Sequence, residues 1–489
     1  NCTFVGNQSV AGGGAIDHQA GDGLIANSIF WGNSASQAAA YGLQDEQAQI
    51  INYGSLTISN SCIQGLGQYR YAGHGNLGLD PVFAAPGSDY HLSATSPVLG
   101  GGNPGHIPEI QEVMRQRLQA LIADEQCLRK LIGVYDPPKG EVDFRKALAT
   151  LLRREYGWDL DEDNICLTNG SQGAFFLLFN LLAGRTANGG HRKILLPMAP
   201  EYIGYADLGL SEDFFTSVRP KIELVGETFF KYRVDFEQIA VSDEIGAICA
   251  SRPTNPTGNV LTDDEVAGLA ALAEANGIPL ILDNAYGVPF PGMIYTEVRP
   301  VWNRNLILCM SLSKFGLPAV RTGIVVASKE IVRLLSGVNA VVNLATGSFG
   351  AMLTTEIIQS GEILRLSREV IRPFYQAKME RALASIAETF TGFPYKVHVP
   401  EGAMFLWLWF PGLPVSSRQL YERLKQRGVV VVSGDYFFPG LAPGWRHAEE
   451  CLRITYSQGE EDVRQGIGVI AEEARALFAA GPTNEAQGR

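Results

Sequence analysis

Five short apolar runs dominate the middle of this chain: Lys193 to Pro197, Ile245 to Ser251, Ile278 to Leu282, Asn305 to Met310 and Thr322 to Ala327. Stretches with helical periodicity, such as Asp263 to Asn276, lie between them. Apolar runs of strand length with little polar alternation are what strands buried on both faces require. Alternating such strands with helices constrains the chain to an α/β fold with a doubly wound, mostly parallel sheet covered on both sides. A sheet of that kind binds its ligands at the carboxyl ends of its strands. Upstream, Pro108 to Leu131 has helical periodicity with proline in its first turn, and Phe144 to Tyr156 predicts another helix. From about residue 350 the chain reads as helical, then gives strands at Met404 to Phe410, Val429 to Val432 and Leu452 to Tyr456. These predict a smaller α+β domain beside the large one, and 489 residues are too many for one ordinary core.

The character of the chain changes near residue 100. Before it, Gly, Asn, Ser and Ala abound, and a weak repeat runs through Asn1 to Asn7, Asn27 to Asn33 and Asn60 to Gly65. Short apolar strands ended by Gly-Asn turns at this spacing suit the coils of a solenoid and resemble a right-handed parallel β-helix. Asp80 to Phe83 and Asp89 to Pro97 resemble the closing segment of such a helix. Asp22 and Asp80 have the chemistry of a carbohydrate or Ca²⁺ site, but a turn role accounts for them as well. His18, His74 and His91 have no partner at ligand spacing and read as surface residues, and no metal is expected.

Apolar residues make up 46% of the chain, enough for a large core, and the formal net charge is -12. That acidity argues against nucleic acid and anionic membrane as partners. The apolar runs have strand length, not membrane length, and no secretory leader is visible, although the chain opens on Asn1 rather than methionine. Seven scattered cysteines without a CxxC pair fit a reduced, cytoplasmic protein.

The chemistry-bearing strings fall where the fold predicts loops. Ser311-Leu312-Ser313-Lys314 with Arg321 shortly after sets one lysine beside two hydroxyls and an arginine. This suits pyridoxal phosphate, whose aldehyde condenses with a lysine while hydroxyls and a guanidinium hold its phosphate. Asn169-Gly170-Ser171-Gln172 opens the apolar helix Phe175 to Leu182, and free N–H groups at a helix start favour an anion, with Ser171 and Gln172 as donors. Tyr202, in Pro200-Glu201-Tyr202, can stack on a flat ring, though core packing would serve it as well. Asn255, held in Arg252-Pro253-Thr254-Asn255-Pro256, can donate to a phenolate oxygen. Asp283 leaves a buried strand and needs a partner, such as a protonated pyridine nitrogen, with Tyr286 near the ring hydroxyl. Arg453, on a strand of the smaller domain, offers a fork for a carboxylate.

Taken in order, these strings resemble the fold type I pyridoxal-phosphate aminotransferases over about residues 99 to 479, roughly four-fifths of the chain. The Gly100-Gly101-Gly102-Asn103-Pro104 loop, the Ala199 to Tyr205 and Asp283 to Gly292 strings and Glu401 to Phe410 carry the likeness further. The resemblance implies that Lys314 is the Schiff-base lysine and acid–base catalyst, with Asp283 on the pyridine nitrogen and Asn255 and Tyr286 on the ring oxygen. It makes Ser171, Gln172, Ser311, Ser313 and Arg321 the phosphate cup, and Tyr135 a residue that reaches the phosphate of a partner subunit in a homodimer. Arg453 becomes the α-carboxylate clamp, helped by Asn255 and by backbone around Gly102. The implied reaction is amino transfer between a small apolar amino acid such as valine and the 2-oxo acid pyruvate.

On this reading residues 1–98 are the β-helix-like segment, 99–149 the first part of the small domain, 150–345 the large cofactor domain, 346–480 the rest of the small domain and 481–489 a tail. The front departs from the family, which carries an N-terminal arm before the glycine-rich loop. Here a β-helix-like segment stands in its place, through either a natural fusion or a joining artefact. Three rival readings share part of the signal: a lyase or other aminotransferase of the same fold, a surface β-helix protein with an inactive aminotransferase-like domain, and a regulator. The last lacks a basic helix-turn-helix.

Overall fold

The computed structural model describes residues 104–481. Before them it describes Ala15 and the strands Thr3–Val5, Gln8–Ser9, Ile16–His18, Asp22–Ala26, Ile29–Trp31, Ser34–Ala35, Ile50–Asn52, Ser55–Ser59, Cys62–Ile63, Phe83–Ala85 and Asp89–Leu92. The chain divides into two compact units, 1–101 and 102–489. In the first, Thr3–Val5 pairs parallel with Ile29–Trp31, which pairs parallel with Cys62–Ile63. Asp22–Ala26 runs parallel to Ser55–Ser59, and the last two strands form an antiparallel pair. Asp80, His74 and Gly102 lie outside the described residues.

The second unit is built on an eight-stranded sheet. Its strands are β1 (Ile165–Asn169), β2 (Gly184–Arg185), β3 (His191–Leu196), β4 (Phe215–Ser217), β5 (Ile245–Ser251), β6 (Leu280–Asp283), β7 (Leu306–Ser311) and β8 (Thr322–Val326). Strands β4, β3, β5, β6 and β7 are parallel neighbours. β8 is antiparallel to both β7 and β1, and β2 is antiparallel to β3. Every residue of β5, β6, β7 and β8 is buried. The alternation of side chains explains how: Ile248, Ala250, Leu280, Leu282, Leu306 and Leu308 enter one core, while Ala247, Cys249, Ile281, Ile307 and Cys309 enter the other. A strand buried on both faces needs an unbroken apolar run, and the sequence supplies one for each.

Two elements differ from their expected form. The helix expected from Pro108 to Leu131 is two, Pro108–Ala123 and Glu125–Gly133. Asp124 breaks it, because its carboxylate accepts the Cys127 N–H at 2.7 Å and so starts a new helix. The run Val429 to Val432 yields only the strand Val432–Ser433. The N–H groups of Gly428 and Val429 return to Lys425 O and Leu424 O at 3.0 and 2.9 Å and close the helix Ser417–Gln426.

A second, six-stranded sheet takes Phe405–Trp409, Cys451–Thr455, Lys396–His398 and Val432–Ser433 from the C-terminal part. It also recruits the hairpin Lys221–Val225 and Phe229–Arg233, from a stretch the sequence reading placed wholly in the large domain, through parallel pairing of Phe229 with Val397. No helix among the described residues is long and apolar enough to cross a membrane.

Candidate active site

Asp283 ends the parallel strand β6, and Lys314 and Asn255 lie just past the carboxyl ends of β7 and β5. Beyond β7 the chain turns at once into a short 3₁₀ turn, Leu312–Phe315, started by the Ser311 hydroxyl accepting the Ser313 N–H at 3.1 Å. That turn puts the Lys314 Nζ 5.1 Å from the centre of the Tyr286 ring. The Tyr286 phenol raises the proton affinity of this amine, against the opposing effect of its burial. Tyr286 itself is 5% exposed and packs edge-on against Phe405.

Asp283 ends β6 and is 8% exposed. Its Oδ1 accepts the Ala285 N–H at 3.0 Å and its Oδ2 accepts the Tyr205 hydroxyl at 2.7 Å. Burial raises its proton affinity; those two hydrogen bonds and the charge of Lys314 work the other way. Behind Tyr205 the contacts continue inward: its hydroxyl lies 3.3 Å from the Ser251 hydroxyl, which lies 2.5 Å from Glu201 Oε2.

The Asn255 loop is held from below by Arg252, whose guanidinium donates to Leu261 O at 2.7 Å, Arg299 O at 3.2 Å and Asp263 Oδ1 at 2.6 Å. Asn255 accepts from Arg453 at 2.9 Å through its Oδ1. Its Nδ2 has no protein acceptor among the described residues, so the donor that a ring oxygen needs is available. The Arg453 guanidinium sits over the rings of Phe405 and Phe437, at 4.5 and 5.3 Å. Aromatic faces hold the fork in place without occupying its N–H groups.

The anion cradle forms where β1 runs into the helix Gly170–Leu182. Arg321 has φ +47° and points back over Gly170, donating to Ser313 Oγ and Pro318 O at 3.4 Å each. A Cβ on Gly170, itself at φ +80°, would stand 2.2 Å from the guanidinium. The site therefore needs glycine twice over, for conformation and for space. Gly170→Ala is expected to weaken cofactor binding about tenfold or more, read by titrating visible absorbance of the cofactor-free protein.

The structure thus brings Lys314, Asp283, Tyr286, Asn255 and Arg453 into one neighbourhood, and Ser171, Ser313 and Arg321 into the cradle. Tyr202 lies edge-on to Tyr205 with ring centres 5.4 Å apart, and burial raises its phenol's proton affinity. The Gln172 side chain is turned away from the expected phosphate role: it donates to Gly204 O at 2.8 Å and ties the helix to the Tyr202 turn. Tyr135 is 82% exposed and joins no other site residue among the described residues. Glu201, Ser251 and Tyr205 were not singled out from sequence; the only signal was a glutamate among apolar neighbours in Pro200-Glu201-Tyr202.

A buried carboxylate suits a protonated ring nitrogen, and a glycine cradle roofed by arginine suits a phosphate. These residues fit pyridoxal phosphate. The comparisons agree. The family described as aminotransferase class I and II matches residues 103–470. A valine–pyruvate aminotransferase of Escherichia coli (strain K12) is 50% identical over 382 residues, 78% of this chain and 91% of that protein. The crystal structure of valine–pyruvate aminotransferase from Salmonella typhimurium LT2 is 47% identical, with a TM-score of 0.73, over 78% of this chain and 96% of that one. A putative amino-acid aminotransferase from Psychrobacter arcticum 273-4 is 45% identical, with a TM-score of 0.75, over 78% and 91% of the two chains. With its strand-end lysine, aspartate and asparagine in place, this chain belongs to the class I and II aminotransferases, which work with pyridoxal phosphate.

Proposed function

We propose that this protein moves an amino group between L-valine, or a similarly small apolar amino acid, and pyruvate, giving 2-oxoisovalerate and L-alanine. The 50% identity to a valine–pyruvate aminotransferase carries this reading. The surroundings of Arg453 support it, since Phe405, Phe437 and Tyr286 present apolar surface beside the carboxylate clamp.

When bound, the cofactor supplies the electron sink that makes the α-proton of an amino acid removable. This chain's residues do the rest. Lys314 would hold the cofactor at its aldehyde, and its amine would carry the α-proton as general base and then acid. Asp283 would pair with the ring nitrogen and keep it protonated. Asn255 Nδ2 and the Tyr286 hydroxyl hold the ring oxygen. Arg321, Ser313, Ser171 and the N–H groups after Gly170 hold the phosphate. Arg453, hydrogen-bonded to Asn255, would orient the substrate carboxylate. Arg453→Lys keeps the charge but loses the planar fork, so the KM for both substrates should rise by roughly 10- to 100-fold with a smaller change in kcat. Steady-state kinetics with valine and with pyruvate varied in turn checks this.

We also propose a homodimer. Ile132, Val134, Tyr135, Val341 and Val342 are all more than half exposed. Asn339 Nδ2 donates to Pro138 O at 2.7 Å, so these two segments are neighbours and form one apolar face. Asn343 donates to Asn339 Oδ1 at 2.7 Å and accepts from Asn169, beside the cradle, at 3.1 Å. A second copy covering the face would bring its Tyr135 toward that cradle. Val341→Glu should convert the dimer to monomer and weaken cofactor binding together, measured by sedimentation and absorbance titration. The parallel strands of residues 1–101 are proposed to be coils of a β-helix-like segment, and the cytoplasm is proposed as the working compartment.

A further inference from the structure

Glu201 is 1% exposed, and no cation pairs with it among the described residues. Its Oε1 accepts the Ser251 N–H at 2.9 Å, and its Oε2 lies 2.5 Å from the Ser251 hydroxyl. That hydroxyl lies 3.3 Å from the Tyr205 oxygen, and Tyr205 gives its only proton to Asp283 at 2.7 Å. The Ser251–Tyr205 contact then contains a hydrogen only if Ser251 donates it. Ser251 has one hydroxyl proton, so the contact with Glu201 contains a hydrogen only if Glu201 is the donor. With Asp283 ionised and accepting the Tyr205 proton, one assignment fills all three contacts: Glu201 to Ser251, Ser251 to Tyr205, Tyr205 to Asp283. With Glu201 ionised, the Ser251 hydroxyl turns back to it, and Tyr205 faces Ser251 with no hydrogen between them.

We propose that Glu201, as the neutral acid at the head of this one-way chain, is a positioning residue that fixes the Tyr205 hydroxyl on Asp283. The inference rests on the aminotransferase reading, in which Asp283 holds the ring nitrogen. The groups around Glu201 agree with it. Asp283 on β6, Ser251 and the Cys249 thiol on β5, and Tyr205 on its own turn all face it, with the Tyr202 N–H as a further donor. Its own N–H is occupied by Phe437 O at 2.9 Å. Lys314 acts on Asp283 and is not among the groups that stabilise a charge on Glu201. Burial, with the nearby charge of Asp283 added, pushes the Glu201 carboxyl up to about 8. The charge of this buried pair therefore rests on Asp283, where the ring nitrogen needs it.

Glu201→Gln separates the alternatives, because an amide can accept from the Ser251 N–H and donate to its hydroxyl, preserving the direction of the chain. Glu201→Leu cannot do either, and Tyr205→Phe removes the last link. Infrared difference spectra of the cofactor-free wild type against E201Q at pH 7 should show a protonated carboxylic acid C=O stretch. That band should fade as pH rises through about 8. With cofactor bound, E201Q should keep kcat within about threefold of wild type at pH 7 and lose the alkaline limb that wild type shows. E201L and Y205F should both lose about tenfold or more. No acid band in the wild type, or an E201Q loss as large as that of E201L, overturns the proposal. Wild type that transfers no amino groups at all would instead sink the underlying reading, while the infrared result would still decide the state of Glu201.

Discussion

Lys314→Ala is expected to lower kcat for amino transfer at least roughly 10³-fold, the loss that follows when the group carrying a proton in the transition state is removed. The fold should survive the change. Lys314 makes no ion pair among the described residues, and its nearest aromatic partner, Tyr286, is packed independently against Phe405. The same variant should therefore unfold within a few degrees of wild type, and its cofactor should remain bound through Asp283, Asn255 and the Gly170–Arg321 cradle. Single-turnover kinetics against thermal melting separates the two effects. A variant that melts early and also loses activity would mean that Lys314 is part of the structure rather than of the chemistry.

Asp283→Asn should produce the second large effect, and its sign reverses with the cofactor. In the loaded enzyme it leaves a buried ring nitrogen without its carboxylate. Loss of one partner from a buried charged pair costs about 3 kcal/mol or more, which corresponds to roughly a hundredfold weaker cofactor binding, and kcat should fall by a comparable factor. In the cofactor-free protein the carboxylate is a liability. Its proton affinity is raised by burial, and that of Glu201 is raised to about 8. Groups with raised values in the folded state bind more protons folded than unfolded, so they stabilise below their ordinary range and lose that contribution as pH climbs through the raised value. The cofactor-free wild type should therefore lose stability from about pH 4 toward pH 8 on this account. D283N should be the more stable protein at the alkaline end, with a flatter profile. Melting temperatures across that range, with and without cofactor, check both signs.

What was legible in the sequence, and what was not, follows from range. The strands β5 to β8 could be read because burial on both faces leaves no room for polar residues, and that is a local property. The lysine, aspartate and asparagine could be placed because each lies at the carboxyl end of such a strand or within a few residues of it. The break at Asp124 was hidden because the apolar period continues across it, while the break itself depends on one side chain turning to Cys127. The hairpin at residues 221–233 joined the other sheet through a pairing with Val397, far along the chain, that no local pattern announces. The same holds for the side chains. Gln172 reads as a phosphate donor until Gly204 is found beside it. Glu201 reads as an ordinary loop residue until its contact with Ser251, fifty positions away, and the link from Tyr205 to Asp283 are seen. Tyr135 is uninformative within a single chain, since its proposed role depends on a second copy.

The most direct test is the visible absorbance of the purified full-length protein with pyridoxal phosphate, recorded before and after L-valine and again after pyruvate. The account predicts a visible band that L-valine bleaches and pyruvate restores, since both halves of the transfer use the same Lys314, Asp283 and Arg453. A band that forms but is indifferent to L-valine while responding to another amino acid would contradict the proposed substrate. The absence of any band would contradict the site itself.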